Sequence, residues 1–286
     1  MNTDTVKPDL LKALGTVDRN RALLDRAHSG EFHQVGDRKL RAWIFSPPGW
    51  SASDMRPSML FFHGSLWDKG LVSQFAPQAL YFAERGMVTI LFEYRLPGVD
   101  GVDGTDALED VAAAHRWTCE FSRDLGVDPG RVVMAGASAG AWMAAVRSLG
   151  LAALKPEARE QAPPVAMVLF EPICEVAGKF LWTARFKDPK SVRKLIPRKM
   201  LSKGAPPALI FHGSADPVVP FDSTAKLAKT WISKAPAAKF IPYEGAGHGF
   251  YNFNVDMRLY ENTLNATDDF LVGLGLLEAG DSLVAL

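Results

Sequence analysis

The apolar run Arg131-Val132-Val133-Met134-Ala135 passes directly into Gly136-Ala137-Ser138-Ala139-Gly140 and then into the helix-compatible stretch Ala141 to Leu149. A strand that turns into a helix within five residues leaves almost no room for side chains beside the turning residue, which explains the small residues around Ser138. Such a turn holds its central residue in a strained conformation and pushes the hydroxyl above the sheet edge. The following helix aims its first amides at the same spot. The pattern therefore predicts a strand–turn–helix unit with a serine at its apex.

Other apolar runs extend this unit into a sheet. Arg41–Phe45, Ser58–Phe62, Met87–Phe92, Val165–Phe170, Ala208–Phe211 and Lys239–Ile241 read as strands. Helical stretches separate most of them, and that alternation predicts an α/β fold with a mostly parallel sheet covered on both faces. Thr105 to Leu125 reads as a helix: Leu108, Val111, Ala114, Phe121 and Leu125 fall at helical spacing, acidic residues fill its first turn, and Gly126 ends it. Asp256 to about Leu274 reads as the last helix. Residues 9 to 28 read as one or two short helices anchored by Leu10, Leu11, Leu14, Leu23 and Leu24. The expected layout is an N-terminal helical extension over 1–40, then one α/β domain over 41–286 with a cap insertion at about 171–204.

Composition excludes several function classes. The 286 residues carry 32 basic and 32 acidic side chains, so no overall field recruits nucleic acid or an anionic membrane surface. No apolar run is long enough to cross a bilayer, and Met1-Asn2-Thr3-Asp4-Thr5 lacks the start of a signal peptide, which points to a cytoplasmic location. Cys119 and Cys174 lack metal-ligand spacing and read as free buried thiols. Nucleotide-loop, zinc-protease and dinucleotide motifs do not occur. Gly98-Val99-Asp100-Gly101-Val102-Asp103-Gly104 lacks the alternating oxygen ligands of a calcium loop and reads as a turn.

A serine hydroxyl needs an adjacent base, itself oriented by an acid. On a frame of this kind the order along the chain is serine, acid, histidine. Asp216, in His212-Gly213-Ser214-Ala215-Asp216-Pro217, follows the strand Ala208–Phe211 and is the acid candidate. Asp222 is the neighbouring alternative, although it reads as a helix start. Of the six histidines only His248 lies beyond Asp216, in the glycine-rich loop Gly245-Ala246-Gly247-His248-Gly249-Phe250. His63-Gly64-Ser65-Leu66-Trp67 follows the first core strand, where backbone N–H groups are needed to hold a developing oxyanion. Ser65, Leu66 and Ala139 are the candidate donors.

The motifs His63-Gly64-x-x-Trp67, Glu93-Tyr94-Arg95-Leu96, Glu109-Asp110-Val111, Gly136-x-Ser138-x-Gly140, Gly213-x-x-Asp216 and Gly247-His248-Gly249 occur together in this order. In this the chain resembles the α/β-hydrolase esterases and lipases with an HGG-type oxyanion loop, on the branch of hormone-sensitive-lipase-like and feruloyl- or acetyl-esterase-like enzymes. The resemblance runs from about residue 55 to 272. It implies a Ser138–Asp216–His248 triad, an acyl-enzyme intermediate, a small-molecule ester substrate (acylated sugars among the options), and neither cofactor nor metal. Ser65 and Leu66 depart from the family pattern, which usually has glycines there.

Two groups of residues keep two readings each. Trp67, Trp182, Phe186 and Phe250 line an acyl or alcohol pocket or are core aromatics, with Trp67 and Phe250 the better pocket candidates. The basic residues between Arg185 and Lys203 are a solvated cap surface or attract an anionic ester. The same machinery cleaves amides, so a small peptidase or amidase is the nearest rival. A non-catalytic binding protein on the same fold is the other, and its usual marker, a replaced triad residue, does not occur here.

Overall fold

The apolar runs of the sequence become neighbouring strands of one sheet. The computed structural model describes residues 18–65, 67–175 and 184–280. Among them the strands are β1 (His28–Val35), β2 (Arg38–Phe45), β3 (Arg56–Phe62), β4 (Val88–Phe92), β5 (Val127–Ala137), β6 (Ala166–Phe170), β7 (Ala208–Gly213) and β8 (Lys239–Tyr243). They form an eight-stranded sheet in the order β1-β2-β4-β3-β5-β6-β7-β8. The β1·β2 and β2·β4 pairs are antiparallel, and every pair from β4·β3 to β7·β8 is parallel. The α/β reading of the sequence is therefore correct.

The helices are α1 (Asp18–Leu23), α2 (Ala76–Glu84), α3 (Pro97–Asp100), α4 (Gly104–Glu120), α5 (Ala139–Ala153), α6 (Pro189–Val192), α7 (Pro197–Met200), α8 (Phe221–Lys234) and α9 (Met257–Gly273). Strand alternation sorts the core into two layers. Leu60 and Phe62 point to the face covered by α4, α5 and α8, while Met59 and Phe61 point to the face covered by α2 and α9. Burial on both faces explains why the central strands read as continuous apolar runs.

The helix starts follow from capping chemistry. Asp103 accepts the Thr105 N–H, and the Asp103 N–H donates to Asp106 Oδ2 at 2.7 Å, a reciprocal box that starts α4. Asp256 accepts the Leu259 N–H and starts α9.

Residues 28–40 differ from the helical extension expected for 1–40. They form β1 and the start of β2, joined through Gly36 at φ 57°. The reason is local: of the eight residues in β1 only Phe32 is buried, and the register shifts between Glu31 and His33. An edge strand in water has no need of an apolar pattern. Residues 9–17 of the expected helices lie outside the described residues. The helix expected over Thr105–Leu125 ends at Glu120, and the chain reaches Gly126 (φ 65°) through turns.

Candidate active site

Strand β5 delivers Ser138 to the carboxyl edge of the sheet. Ser138 has φ 51° and ψ −111°, a conformation a non-glycine residue adopts only when its surroundings force it. The forcing is visible in Gly136 and Gly140. A Cβ on Gly136 would lie 2.6 Å from the Gly140 carbonyl carbon, and one on Gly140 would lie 2.2 Å from the Phe62 carbonyl oxygen. Only glycines let the turn close against itself and against the end of β3. Ser138 stands at the N-cap of α5, a position where serine commonly bonds the helix amides, yet it makes no such bond. Its buried Oγ has no hydrogen-bond partner among the described residues.

Strands β6 and β7 bring the remaining groups to the same edge. The Ser138 N–H donates to Phe170 O at 2.9 Å, and the Ile173 N–H returns to Ser138 O at 3.2 Å. The next strand is tied in the same manner, the Glu171 N–H donating to Phe211 O at 2.9 Å. Beyond β7, Asp216 makes four polar contacts. Oδ1 takes the Val218 and Val219 N–H groups at 2.7 and 2.9 Å. Oδ2 takes the His248 Nδ1–H at 2.8 Å and lies 3.2 Å from His212 Nε2, which hydrogen-bonds the Val219 carbonyl oxygen at 3.0 Å. Burial works against the Asp216 charge, but the bonds from His212 and His248 outweigh it and hold the carboxyl far below its usual range. An ionised carboxylate only accepts, so His248 Nδ1 carries the hydrogen and Nε2 is left as the base.

Burial alone would lower the His248 pKa. The negative charge of Glu171 and the Asp216 hydrogen bond reverse this and raise it well above its ordinary 6.5. Glu171, which sequence reasoning passed over, is the last member of the cluster. Its side chain is fully buried, and Oε2 accepts the Gly249 N–H at 2.7 Å and lies 3.2 Å from His248 Nδ1. The signal for Glu171 and His212 was available: each is an ionisable residue ending an otherwise apolar strand run.

Glu171, Asp216 and His248 place ligand-type atoms within 4.8 Å of one another. Their bonding fits a protonated Nδ1 better than a cation, since Nδ1–H donates to Asp216 with Glu171 3.2 Å away and three backbone N–H groups occupy the carboxylate oxygens.

The loop after β3 is held by side chains from elsewhere. Tyr94 Oη lies 2.7 Å from His63 O and 3.0 Å from Ser65 Oγ; with one proton, it donates to the carbonyl and accepts from the serine. Gly64 N–H donates to Gln74 Oε1 at 2.6 Å, so this amide is already engaged. Tyr94 is in turn fixed by its neighbour Arg95, which forks onto the fully buried Asp110 of α4 at 2.7 and 2.9 Å. The Ala139 N–H opens α5, where no helical carbonyl can reach it. Ser65 is buried in the loop after β3, and Leu66 lies outside the described residues.

The pocket candidates resolve toward the core. Trp67 is fully buried, with ring contacts to Trp142 at 5.7 Å and Phe186 at 5.5 Å. Phe250 belongs to the layer under α2 and α9 and packs on Tyr243 at 4.6 Å. Each is placed as a core aromatic, the second of its two readings; Trp182 lies outside the described residues. In the segment between β6 and β7, Arg185 pairs with Asp68, its carbonyl accepts the Gly104 N–H, and Phe186 wedges against Trp67. Lys187, Lys190, Arg193, Lys194, Arg198, Lys199 and Lys203 are exposed.

Ser138, free of any capping bond, follows β5, the carboxylate-held His248 follows β8, and the braced loop follows β3. A family model described as "alpha/beta hydrolase fold" matches residues 59–202. The chain belongs to the α/β-hydrolase family. A second model, of the dienelactone hydrolase family, matches residues 191–269. Among solved α/β-hydrolases, esterase 2 of Thermogutta terrifontis phosphoramylated by tabun has a TM-score of 0.80 and 33% identity, covering 90% of this chain and 98% of that one. The propionate-bound form of that esterase gives 0.80 and 32%, covering 90% and 97%. Esterase LipC of Mycobacterium tuberculosis is 25% identical over 233 residues, 70% of this chain. The chain spans 56% of the length of LipC. No described helix of this α/β-hydrolase is long and apolar enough to cross a membrane.

Proposed function

We propose that the protein is a serine carboxylesterase acting on small carboxylic esters through Ser138, His248 and Asp216. The observation that carries this reading is the 2.8 Å contact from Asp216 to His248 Nδ1, which leaves Nε2 as a base at the sheet edge where the unbonded Ser138 hydroxyl emerges. In the first step Ser138 Oγ attacks the ester carbonyl and its proton passes to His248 Nε2. The imidazolium, steadied by Asp216, then protonates the departing alcohol. Water repeats the sequence on the acyl-enzyme and restores Ser138. The amides of Ala139, Ser65 and Leu66 hold the oxyanion, each donor contributing on the order of 3 kcal/mol to the transition state.

The relatives support an ester with a short acyl group, since the Thermogutta esterase has been solved with propionate and with butyrate bound. Acetylated sugars fall within the same acyl range. The test is hydrolysis of p-nitrophenyl acetate, propionate and butyrate by wild type and by Ser138→Ala, followed by titration with paraoxon. We expect stoichiometric inactivation of wild type and loss of turnover in the variant. Turnover that survives Ser138→Ala unchanged would refute the assignment.

A further inference from the structure

Glu171 has no part in the three-residue mechanism, yet its placement is costly. It is a non-glycine residue at φ 47°, a conformation that costs roughly 1–3 kcal/mol and persists only where the surroundings impose it. Its carboxyl group is fully removed from water, and Oε1 has no hydrogen-bond partner among the described residues. A buried carboxylate with an unpaired oxygen is destabilising unless a positive charge lies close by. The nearest group able to become positive is the His248 imidazole, 3.2 Å away.

We propose that Glu171 is a positioning residue that brackets His248 Nδ1 together with Asp216 and stabilises the imidazolium formed when Ser138 gives up its proton. This rests on the triad assignment above. The two carboxylates reach the imidazole from different strands, Asp216 from beyond β7 and Glu171 from the end of β6. Oε2 also fixes the histidine loop through the Gly249 N–H, so one group sets both the position of the ring and its charge preference. The proton inventory is simple. The hydroxyl proton goes to Nε2, while the other proton stays on Nδ1, bonded to Asp216 with Glu171 3.2 Å away.

Burial, opposed by the His248 charge and reinforced by Asp216, raises the Glu171 pKa well above its ordinary 4.5. Its charge is thus held most firmly while the imidazole is cationic, so the stabilisation favours the transition state over the resting state. Among the described residues, the other ionisable groups facing this cluster are His212, 3.2 Å from Asp216, and Tyr251, whose hydroxyl burial keeps neutral.

The sign of the pH effect follows directly. Only neutral His248 can accept the serine proton, so kcat/KM falls as pH drops through the His248 pKa. A carboxylate beside the ring raises that pKa; removing its charge lowers it. Glu171→Gln keeps an acceptor for the Gly249 N–H and deletes the charge. In this variant we expect the acid limb of kcat/KM to move down by about 1–3 pH units, with kcat reduced and KM unchanged. A purely structural role would leave the limb in place, and an acid limb superimposable on wild type overturns the proposal.

If Glu171→Gln does not yield a folded protein by circular dichroism, the Asp216→Asn variant decides by NMR titration of the His248 ring. A pKa still above 6.5 supports Glu171, and one at or below 6.5 overturns it. The NMR reading does not depend on turnover. A failure of the triad assignment appears separately, as activity that survives Ser138→Ala.

Discussion

Replacing Gly140 by alanine adds a single methyl group at the tightest point of the site. That Cβ would stand 2.2 Å from Phe62 O and 2.5 Å from His63 O. A carbon normally approaches a carbonyl oxygen no closer than about 3.3 Å, so relief requires a displacement of roughly 1 Å. Neither partner can yield cheaply. Phe62 ends β3, which is paired on one side to β4 and on the other to β5, and His63 leads into the loop braced by Tyr94. Overpacking of this kind costs about 1–3 kcal/mol, which at roughly 2–4 °C per kcal/mol lowers Tm by about 2–12 °C. The shift separates Ser138 from the amides proposed to hold the oxyanion, and a 1 Å misplacement costs on the order of 100-fold in rate. Gly150→Ala is the control on the same helix: its Cβ would meet nothing closer than Met200 Cε at 4.0 Å. There the gain in helix preference, roughly 0.5–1 kcal/mol, should leave Tm equal or higher and activity untouched. The assay pairs thermal melts with kcat/KM on p-nitrophenyl acetate. Wild-type melting and turnover in Gly140→Ala would refute the claim that the elbow and the oxyanion loop are in rigid contact.

Two further predictions test the support around the site. Tyr94→Phe keeps the ring stacked on His63 but removes the hydroxyl shared by His63 O and Ser65 Oγ; we expect a loss of about 1 kcal/mol, seen as a roughly 5-fold lower kcat at unchanged KM, and an equal kcat would show that the hydroxyl does not brace the loop. Burial pushes the Cys119 thiol up to about 11 and the Cys174 thiol up to about 12; iodoacetamide at pH 8 should therefore modify neither in the native protein and both in guanidinium chloride, with native labelling counting against burial as the protecting factor.

The sequence was most readable where one physical requirement dictated the residue type. The glycines around Ser138 are there because two backbones touch, and the only histidine beyond Asp216 is the one whose Nδ1 meets it. Central strands such as Ser58–Phe62 were plain because both faces need apolar side chains. Legibility failed where tertiary contacts replaced local pattern. Strand β1 is solvated on its edge and carries one buried apolar residue, so no period marked it. Phe250 ends the histidine loop, two residues after His248, and nothing local distinguishes a residue facing substrate from one facing the core beneath. Glu171 was legible as a charge ending an apolar strand, but its meaning depends on a loop 78 residues away. The roles of Tyr94, Arg95 and Asp110 were likewise hidden, since their motifs carried resemblance without showing that they hold the oxyanion loop.

The hydrogen bonds from Ser138 to Phe170 and from Ile173 back to Ser138 bear on any attempt to re-engineer this protein. They stitch Ser138 to the very stretch through which the chain departs toward the segment between β6 and β7. A graft that replaces this region to alter selectivity must leave residues 170–173 intact, because its first splice point would otherwise loosen Ser138 itself. Swaps that begin after Cys174 leave that seam closed.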